Sequence, residues 1–399
     1  MHAEPRIACL DLDTFFVSVE RLLDRRLLGV PVVVGGLGGR GVVTSASYEV
    51  RALGVRSGMS IADARRRAPD AVYLPVRHGV YGPYADRVRT VLERYTPAVQ
   101  VASIDEFFLD FRGCERLWAR PEDDDGDATV ARVARAMRLA VQVETGLPSS
   151  VGLGSNRAIA KIASGRAKPA GVVFVRSGRE AAFVAELPVR KFPGIGPVAE
   201  RRLQDAGVFV LGQLAEPTDT VQRAFPEHVA SVRAAVFPDE APALGPDRPA
   251  FHEHDPHGDA HGSMSNERTF RDDVHDPSVV IDQVRSLAEH VAWRARKRGV
   301  LARTVVLKLR YSDFQTISRS RTVPATDDPA RMADVALELL KEGRTRPLPI
   351  RLIGVGVSNL QLPAPQLALP LSTQPAALSA VDAVRARFGY EAIRLGRAR

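Results

Sequence analysis

Residues 6–23 read RIACLDLDTFFVSVERLL. RIACLDL (6–12) is a short apolar run and predicts a buried strand, while FFVSVERLL (15–23) carries apolar residues at helical spacing, so strand gives way to helix almost at once. Asp11 and Asp13 stand at the strand's end, where side chains two apart share one face. Asp13 also occupies a position suited to capping the helix that follows, and both roles fit it.

Outward from this stretch, VPVVVGG (30–36) and GVVTS (41–45) predict two strands of a hairpin, and ASYEVRAL (46–53) a helix ended by Gly54. Helical spacing returns at 82–95 and about 130–145. QVASIDEFFLDF (100–111) reads as two short strands around an acidic centre, and SSVGLG (149–154) as another strand. SNRAIAKIASGRA (155–167) predicts a helix with Ser155 as its N-cap. This alternation gives an α/β core through about residue 175. PVRKFPGIGPVAERRLQDAGV (188–208) then predicts helix, Pro-Gly turn, helix. From 263 onward the order is strand, helix (278–298), two strands, helix (328–341), strand, a β-α-β-β-α-β module. EDDDGD (122–127) and the Pro-, Asp- and His-rich 239–261 read as linkers.

The chain's 399 residues suffice for two to four compact units. Hydrophobic residues at 45% and charged residues at 26% exclude wholesale disorder and fibrous architecture. Lys+Arg 55 against Asp+Glu 47, a net charge of +8, favours a polyanionic partner. No apolar stretch is long enough to span a bilayer and no signal segment opens the chain, so the expectation is a cytoplasmic protein that does not engage membranes. Cys9 and Cys114 are too few for a disulfide framework or a cysteine zinc site. His252, His254, His257 and His261 lie in the second linker, with no framework to fix a metal's geometry.

Asp105 and Glu106 are adjacent and would point oppositely in a straight strand; a turn at 104–106 removes that conflict. Three acids brought together from these positions could hold two divalent cations about 3.5–4 Å apart, the arrangement that serves phosphoryl transfer. Carboxylates packed so closely repel one another without a cation. Each acid alone has a plainer reading, as a helix cap for Asp13 and a solvated turn for Asp105 and Glu106.

CLDLDTFFVSVE (9–20), SYEVRALGVRSGM (47–59), SIDEFFLD (103–110) and NRAIAKIASGRAKPAG (156–171) together, and in this order, resemble the motifs of the Y-family translesion DNA polymerases, specifically the DinB branch, also called DNA polymerase IV. The resemblance implies an α+β multidomain right hand: palm (1–13 and 78–175), fingers (14–77), helix-hairpin-helix thumb (176–238), linker (239–262), βαββαβ little finger (263–361) and tail (362–399). It implies template-directed addition of dNTPs to a primer 3′ end by two-metal phosphoryl transfer, with low fidelity and no proofreading exonuclease. Asp11, Asp105, Glu106 and the backbone carbonyl of Leu12 become ligands of two Mg²⁺ ions, with Mn²⁺ able to substitute. A palm-fold nucleotide cyclase is the enzymatic rival, disfavoured by the thumb hairpin and the basic C-terminal module. A DNA-binding adaptor that kept the fold is the other, disfavoured because all three acids are present.

Tyr48 and Arg51, three apart on one helix face, are then triphosphate contacts, joined by Lys168 and Ser45. On their own they read as a core-edge aromatic and a surface charge. Phe16, five residues after Asp11, matches the steric gate against ribose, and of the adjacent Phe15 and Phe16 one belongs to the core. Val42, Thr44 and Gly58 match the roof over the nascent base pair, Thr44 being more polar than the family position suggests.

For DNA, Gly194 and Gly196 of the hairpin let the backbone approach a phosphate, flanked by Arg190, Lys191, Arg201 and Arg202. Residues 294–310 hold Arg294, Arg296, Lys297, Arg298, Arg303, Lys308 and Arg310 and no acid, and Arg319 and Arg321 share a face of the next strand. The partners implied are primer-template DNA, dNTPs and a sliding clamp, the last engaged by Gln366, Leu367, Leu369 and Leu371, with the chain acting as a monomer.

Overall fold

A computed structural model describes residues 6–237, 262–363, 374–393 and 395. The chain divides into two compact units, Met1–Glu253 and His254–Arg399. The first begins as the sequence predicts, with strand β1 (Ile7–Leu12) and helix α1 (Phe15–Leu23). Next come β2 (Val32–Gly35), β3 (Val43–Ala46), α2 (Tyr48–Ala52), α3 (Ile61–Arg67) and β4 (Val72–Pro75). Their three strands form a sheet of order β3-β2-β4, the β2–β3 hairpin antiparallel and β4 parallel to β2.

Helix α4 (Gly82–Leu92) leads to the hairpin β5 (Ala98–Val101) and β6 (Glu106–Asp110). There follow α5 (Glu115–Trp118), α6 (Gly126–Thr145), β7 (Ser149–Gly154), α7 (Arg157–Ala167) and β8 (Val172–Phe174). These strands and β1 make a five-stranded sheet, β5-β6-β1-β7-β8, with the chain's first strand at its centre. Both faces of β1 are covered, which is why residues 7–10 read as a continuous apolar run. Ala8, Leu10 and Leu12 pack with Val88, Leu92 and Met137 of α4 and α6, while Ile7 and Cys9 meet Phe108 and Ala160 on the other side. A Cβ at Gly152 would lie 2.1 Å from Ala160 O and Ser164 N, so only glycine lets α7 pack backbone against backbone on β7.

Three local expectations change. Asp13 does not cap α1, whose N-cap is Thr14 in the left-handed region at φ 46°. The N-cap of α7 is Asn156, whose Oδ1 accepts from Ile159 N at 3.1 Å, rather than Ser155. EDDDGD is no linker: Asp125 caps α6 by accepting from Ala128 N, and Asp123 accepts from Thr129 Oγ1 and from Arg132 Nε and Nη2. The acids look solvated in sequence because their partners lie one or two helical turns ahead.

The rest of the first unit is helical: α8 (Glu180–Val184), α9 (Pro197–Asp205), α10 (Gly212–Ala215), α11 (Asp219–Ala224) and α12 (Pro226–Val236). The element before the Pro-Gly turn is a single 3₁₀ turn, Val189–Lys191, not a full helix. Gly194, at φ +95°, makes the turn, and Ile195 buries itself with Phe192, Leu203 and Leu211.

In the second unit β9 (Met264–Val274), α13 (Pro277–Lys297), β10 (Leu301–Tyr311), β11 (Thr316–Thr326), α14 (Pro329–Gly343) and β12 (Ile350–Gln361) reproduce the expected βαββαβ order. The antiparallel sheet runs β11-β10-β12-β9. Val305, Leu307, Leu309 and Tyr311 point into the core shared with α13 and α14. Lys308 and Arg310 therefore point to the opposite face. Cross-strand register sets Arg321 beside Val305 and Arg319 beside Leu307, on the helix-covered side.

One more helix, α15 (Gln374–Phe388), packs on α13. Asp382 accepts from Arg296 Nε at 2.6 Å, Arg385 pairs with Glu289, and Tyr390 stacks on His290 with centroids 4.2 Å apart. The Arg385 side chain is fully buried. Arg385→Ala strands Glu289 and is expected to destabilise this unit by about 3 kcal/mol, read as a lower urea midpoint in the full chain.

Cys9 and Cys114 are free and buried. No helix among the described residues is long and apolar enough to cross a membrane. His252, His254, His257, His261 and the linker around them lie outside the described residues, as do Gln366, Leu367, Leu369 and Leu371.

Candidate active site

The end of β1 carries Asp11 into register with Glu106 on β6 and Ser150 on β7. Directly opposed residues of an antiparallel pair share a face, so the Asp11 and Glu106 carboxylates stand side by side. Asp105 occupies the turn before β6; its carbonyl accepts from Leu12 N at 2.9 Å, and its carboxylate accepts from Ser103 Oγ. The backbone thus ties Asp105 to the end of β1 and resolves the opposed-face conflict.

Two lysines answer this charge. Lys168 pairs with Asp11, and Lys161 on α7 pairs with Glu106. Burial pushes the Asp11 carboxyl up from its usual value; Lys168 opposes the rise, and Asp105 and Glu106 add to it. Burial works against the Lys161 ammonium, but Glu106 outweighs it and holds the lysine above its usual value. Nothing in the sequence marks Lys161, which stands inside a recognisable segment but on an ordinary amphipathic helix.

The donor set of Asp11, Asp105 and Glu106 is all oxygen and carries more negative charge than it can keep unpaired, which suits a hard divalent cation. With the lysines in place, no three His, Cys, Asp or Glu side chains among the described residues gather tightly enough to ligate one ion.

Asp13 is 1% exposed and belongs to a different network. It accepts from Tyr48 OH at 3.0 Å, Ser150 Oγ at 2.9 Å and Ala170 N at 2.8 Å. It joins α2, β7 and the segment after α7, and so fixes Tyr48 and the Lys168 turn relative to each other. Burial, and next Asp13, push the Tyr48 phenol well above its usual value, so it stays a donor. Arg51 lies with its guanidinium 5.3 Å from the Tyr48 ring centre, confirming their common face. Ser45 is buried on β3.

Phe15 is the core member of its pair at 2% exposure, and Phe16 is half-buried. Tyr81 backs the Phe16 ring edge-on with centroids 4.3 Å apart and donates to buried Glu20 at 2.7 Å. Val42 is exposed, Thr44 half-buried, and Gly58 takes φ +83°.

The basic residues expected to track phosphates do not form one surface. Arg296 donates to Asp382 and to Asp327 O with its side chain 12% exposed, so it is a structural residue. Arg321 is tied to Glu338 and Glu342 of α14 on the covered side, and Arg319 shares that side. Lys308 reaches over Gly354 to Glu267 at 2.8 Å, and Arg310 donates to Thr316 Oγ1. Lys297, Arg298 and Arg303 are exposed, and the space above Gly194 and Gly196 is open.

Residues 10–165 match the impB/mucB/samB family, residues 177–208 the HHH motif of that family, and residues 261–370 its C-terminal domain. DNA polymerase IV of Streptomyces coelicolor is 39% identical over 90% of this chain and 72% of its own. That of Halorhodospira halophila is 36% identical over 89% and 95%. A Y-family DNA polymerase chimera superposes with TM-score 0.76 at 23% identity, covering 90% of this chain and 99% of its own. An insertion ternary complex of Dbh DNA polymerase gives 0.60 with the same identity and coverage. The right-hand fold with its appended βαββαβ module is thereby shared, and the chain belongs to the Y-family of translesion DNA polymerases, in the branch of DinB and DNA polymerase IV.

Proposed function

We propose that Asp11, Asp105 and Glu106, with the Leu12 carbonyl, hold two Mg²⁺ ions, or Mn²⁺ in their place, while the chain adds dNTPs to a primer paired with template DNA. The observation that carries this reading is the register of Asp11 beside Glu106, with Asp105 tied to the same strand end. The relative solved as an insertion ternary complex supports it. In this reading the five-stranded sheet with α4, α6 and α7 is the palm, the three-stranded sheet the fingers, α8 to α12 the thumb, and the second unit the little finger.

Bound divalent cations supply charge neutralisation of the triphosphate and activation of the attacking oxygen. This chain's residues position the nucleotide. Lys168 exchanges Asp11 for a triphosphate oxygen, Arg51 offers its planar fork, and Tyr48, protonated and anchored by Asp13, donates its hydroxyl. Ser45 adds a polar group on β3, and Val42, Thr44 and Gly58 leave a roof of modest bulk. Gly194, Gly196 and the exposed Lys297, Arg298 and Arg303 grip phosphates without reading sequence.

Primer extension on undamaged and lesion-bearing templates tests the whole reading: extension that needs the divalent cation supports it, and extension unaffected by a chelator overturns it. Phe16 is proposed as the steric gate because Tyr81 and Glu20 stiffen its ring from behind. Phe16→Ala is expected to relax discrimination against ribonucleotides by roughly tenfold or more. Unchanged selectivity with normal dNTP incorporation would return Phe16 to the core.

Gln366, Leu367, Leu369 and Leu371 are proposed to engage a sliding clamp, with the chain acting as a cytoplasmic monomer. Because α15 follows this peptide and packs on α13, truncation after Leu362 would damage the module too. Gln366→Ala with Leu369→Ala is the cleaner variant, expected to remove clamp stimulation and spare basal synthesis.

A further inference from the structure

The turn between β10 and β11 contains a residue that neither packing nor backbone preference explains. Tyr311 N donates to Gln315 O at 2.9 Å and Phe314 N to Tyr311 O at 3.0 Å. This is a three-residue hairpin loop whose last position is left-handed, a place that favours glycine. Phe314 occupies it at φ +67°. A bulky aromatic there is a backbone outlier, and burial does not compensate it, since Phe314 is 61% exposed.

The surroundings hold the ring in place. The Arg351 guanidinium lies over one face of Phe314, 4.3 Å from its centre. Arg346 Nη1 donates to Asp313 Oδ2 and Gln315 Oε1, both at 2.8 Å, and its guanidinium stacks on buried Tyr311. Asp313 Oδ1 accepts from Gln315 N, and Ser312 N donates to Pro349 O. The loop is thus clamped on both sides while it displays an aromatic face. At this end of the sheet Arg346 pairs with Asp313 and Arg351 with Asp273, while Arg310 bonds only the Thr316 hydroxyl among these groups, a surplus of one positive charge beside the ring.

We propose that Phe314, backed by Arg351, is a stacking platform for an unpaired base of single-stranded DNA. An exposed ring beside guanidinium groups fits a base attached to a phosphate, and every base offers a π-face, so the contact is indifferent to sequence. The site rests on DNA being this enzyme's substrate, and it extends the grip on DNA from phosphates to bases.

The test uses the full chain and a fluorescein-labelled oligo-dT, read by anisotropy. Phe314→Gly relieves the left-handed strain, so it is expected to melt no lower than the wild type. It is nevertheless expected to bind oligo-dT on the order of tenfold more weakly, with the difference persisting as salt is raised. Phe314→Trp is expected to retain affinity, with its emission quenched on binding. On an abasic strand the gap between wild type and Phe314→Gly should close. Phe388→Ala, which removes an equally exposed phenylalanine elsewhere on this unit, should leave affinity unchanged. Wild-type affinity in Phe314→Gly, an equal gap on the abasic strand, or equal weakening by Phe388→Ala would each overturn the platform. If the wild type extends primers while Phe314→Gly binds oligo-dT normally, the platform alone fails; if the wild type extends nothing, the polymerase reading fails first.

Discussion

Asp105→Asn is expected to abolish nucleotide addition while primer-template binding stays nearly intact. Asp105 presents its carboxylate from a turn whose carbonyl is fixed by Leu12 N, so the amide variant keeps shape and backbone contacts and removes only charge. Loss of a metal-holding charge costs several kcal/mol of transition-state stabilisation, or about a thousandfold in rate. The groups proposed to grip DNA lie on other elements and are untouched by this change. Glu106→Gln should act likewise, with one added signature. It also weakens the Lys161 pairing, so its melting temperature should fall where that of Asp105→Asn does not. Normal primer extension by purified Asp105→Asn would show that the acids are not the metal ligands.

Much of the scaffold was legible because local periodicity and tertiary burial agree. The first strand is apolar up to Asp11 because both its faces are covered, and the switch to helical spacing at Phe15 falls where the chain turns. What escaped reading was partner choice across long separations. Arg296 looks like a DNA contact in a run without acids, yet its partner Asp382 comes 86 residues later on a helix that no family model covers. Alternation correctly gave Arg319 and Arg321 a common face but could not say which face, and only the register beside Leu307 and Val305 places them under α14. A charge run reports how many cations are present and not how many are already spent. The same holds in the active site, where the cation that sequence offers to a phosphate at Lys168 is paired with Asp11.

Asp13 shows the limit most sharply, and its removal is expected to cost the fold much of its stability. From sequence it is an acid beside Asp11 on the strand's face or a helix cap; it does not cap the helix, and its carboxylate is taken up by three donors from distant parts of the chain. Its partners Tyr48, Ser150 and Ala170 lie 35, 137 and 157 residues away. Asp13→Ala leaves buried Ser150 Oγ and half-buried Tyr48 OH without their acceptor, at roughly 1–3 kcal/mol for a group that water cannot reach, while the exposed Ala170 N can turn to water. A total of about 3 kcal/mol is a large part of a typical domain's stability, and the urea midpoint should fall accordingly. Asp13→Asn separates folding from function. Its amide keeps one accepting oxygen for Ala170 N and turns its NH2 toward the Tyr48 and Ser150 hydroxyls, so the fold should survive with a smaller loss while the Tyr48 hydroxyl loses its anionic acceptor and the orientation that acceptor fixed. Since Tyr48 is proposed to hold the nucleotide in ground and transition states alike, the expected signature is a raised KM for dNTP with kcat little changed. Phe at position 48, which lacks the hydroxyl that Asp13 holds, should raise KM similarly, and combining it with Asp13→Asn should add little further. If Asp13→Asn leaves KM at the wild-type value in a stable protein, Asp13 stabilises the fold without positioning the nucleotide site.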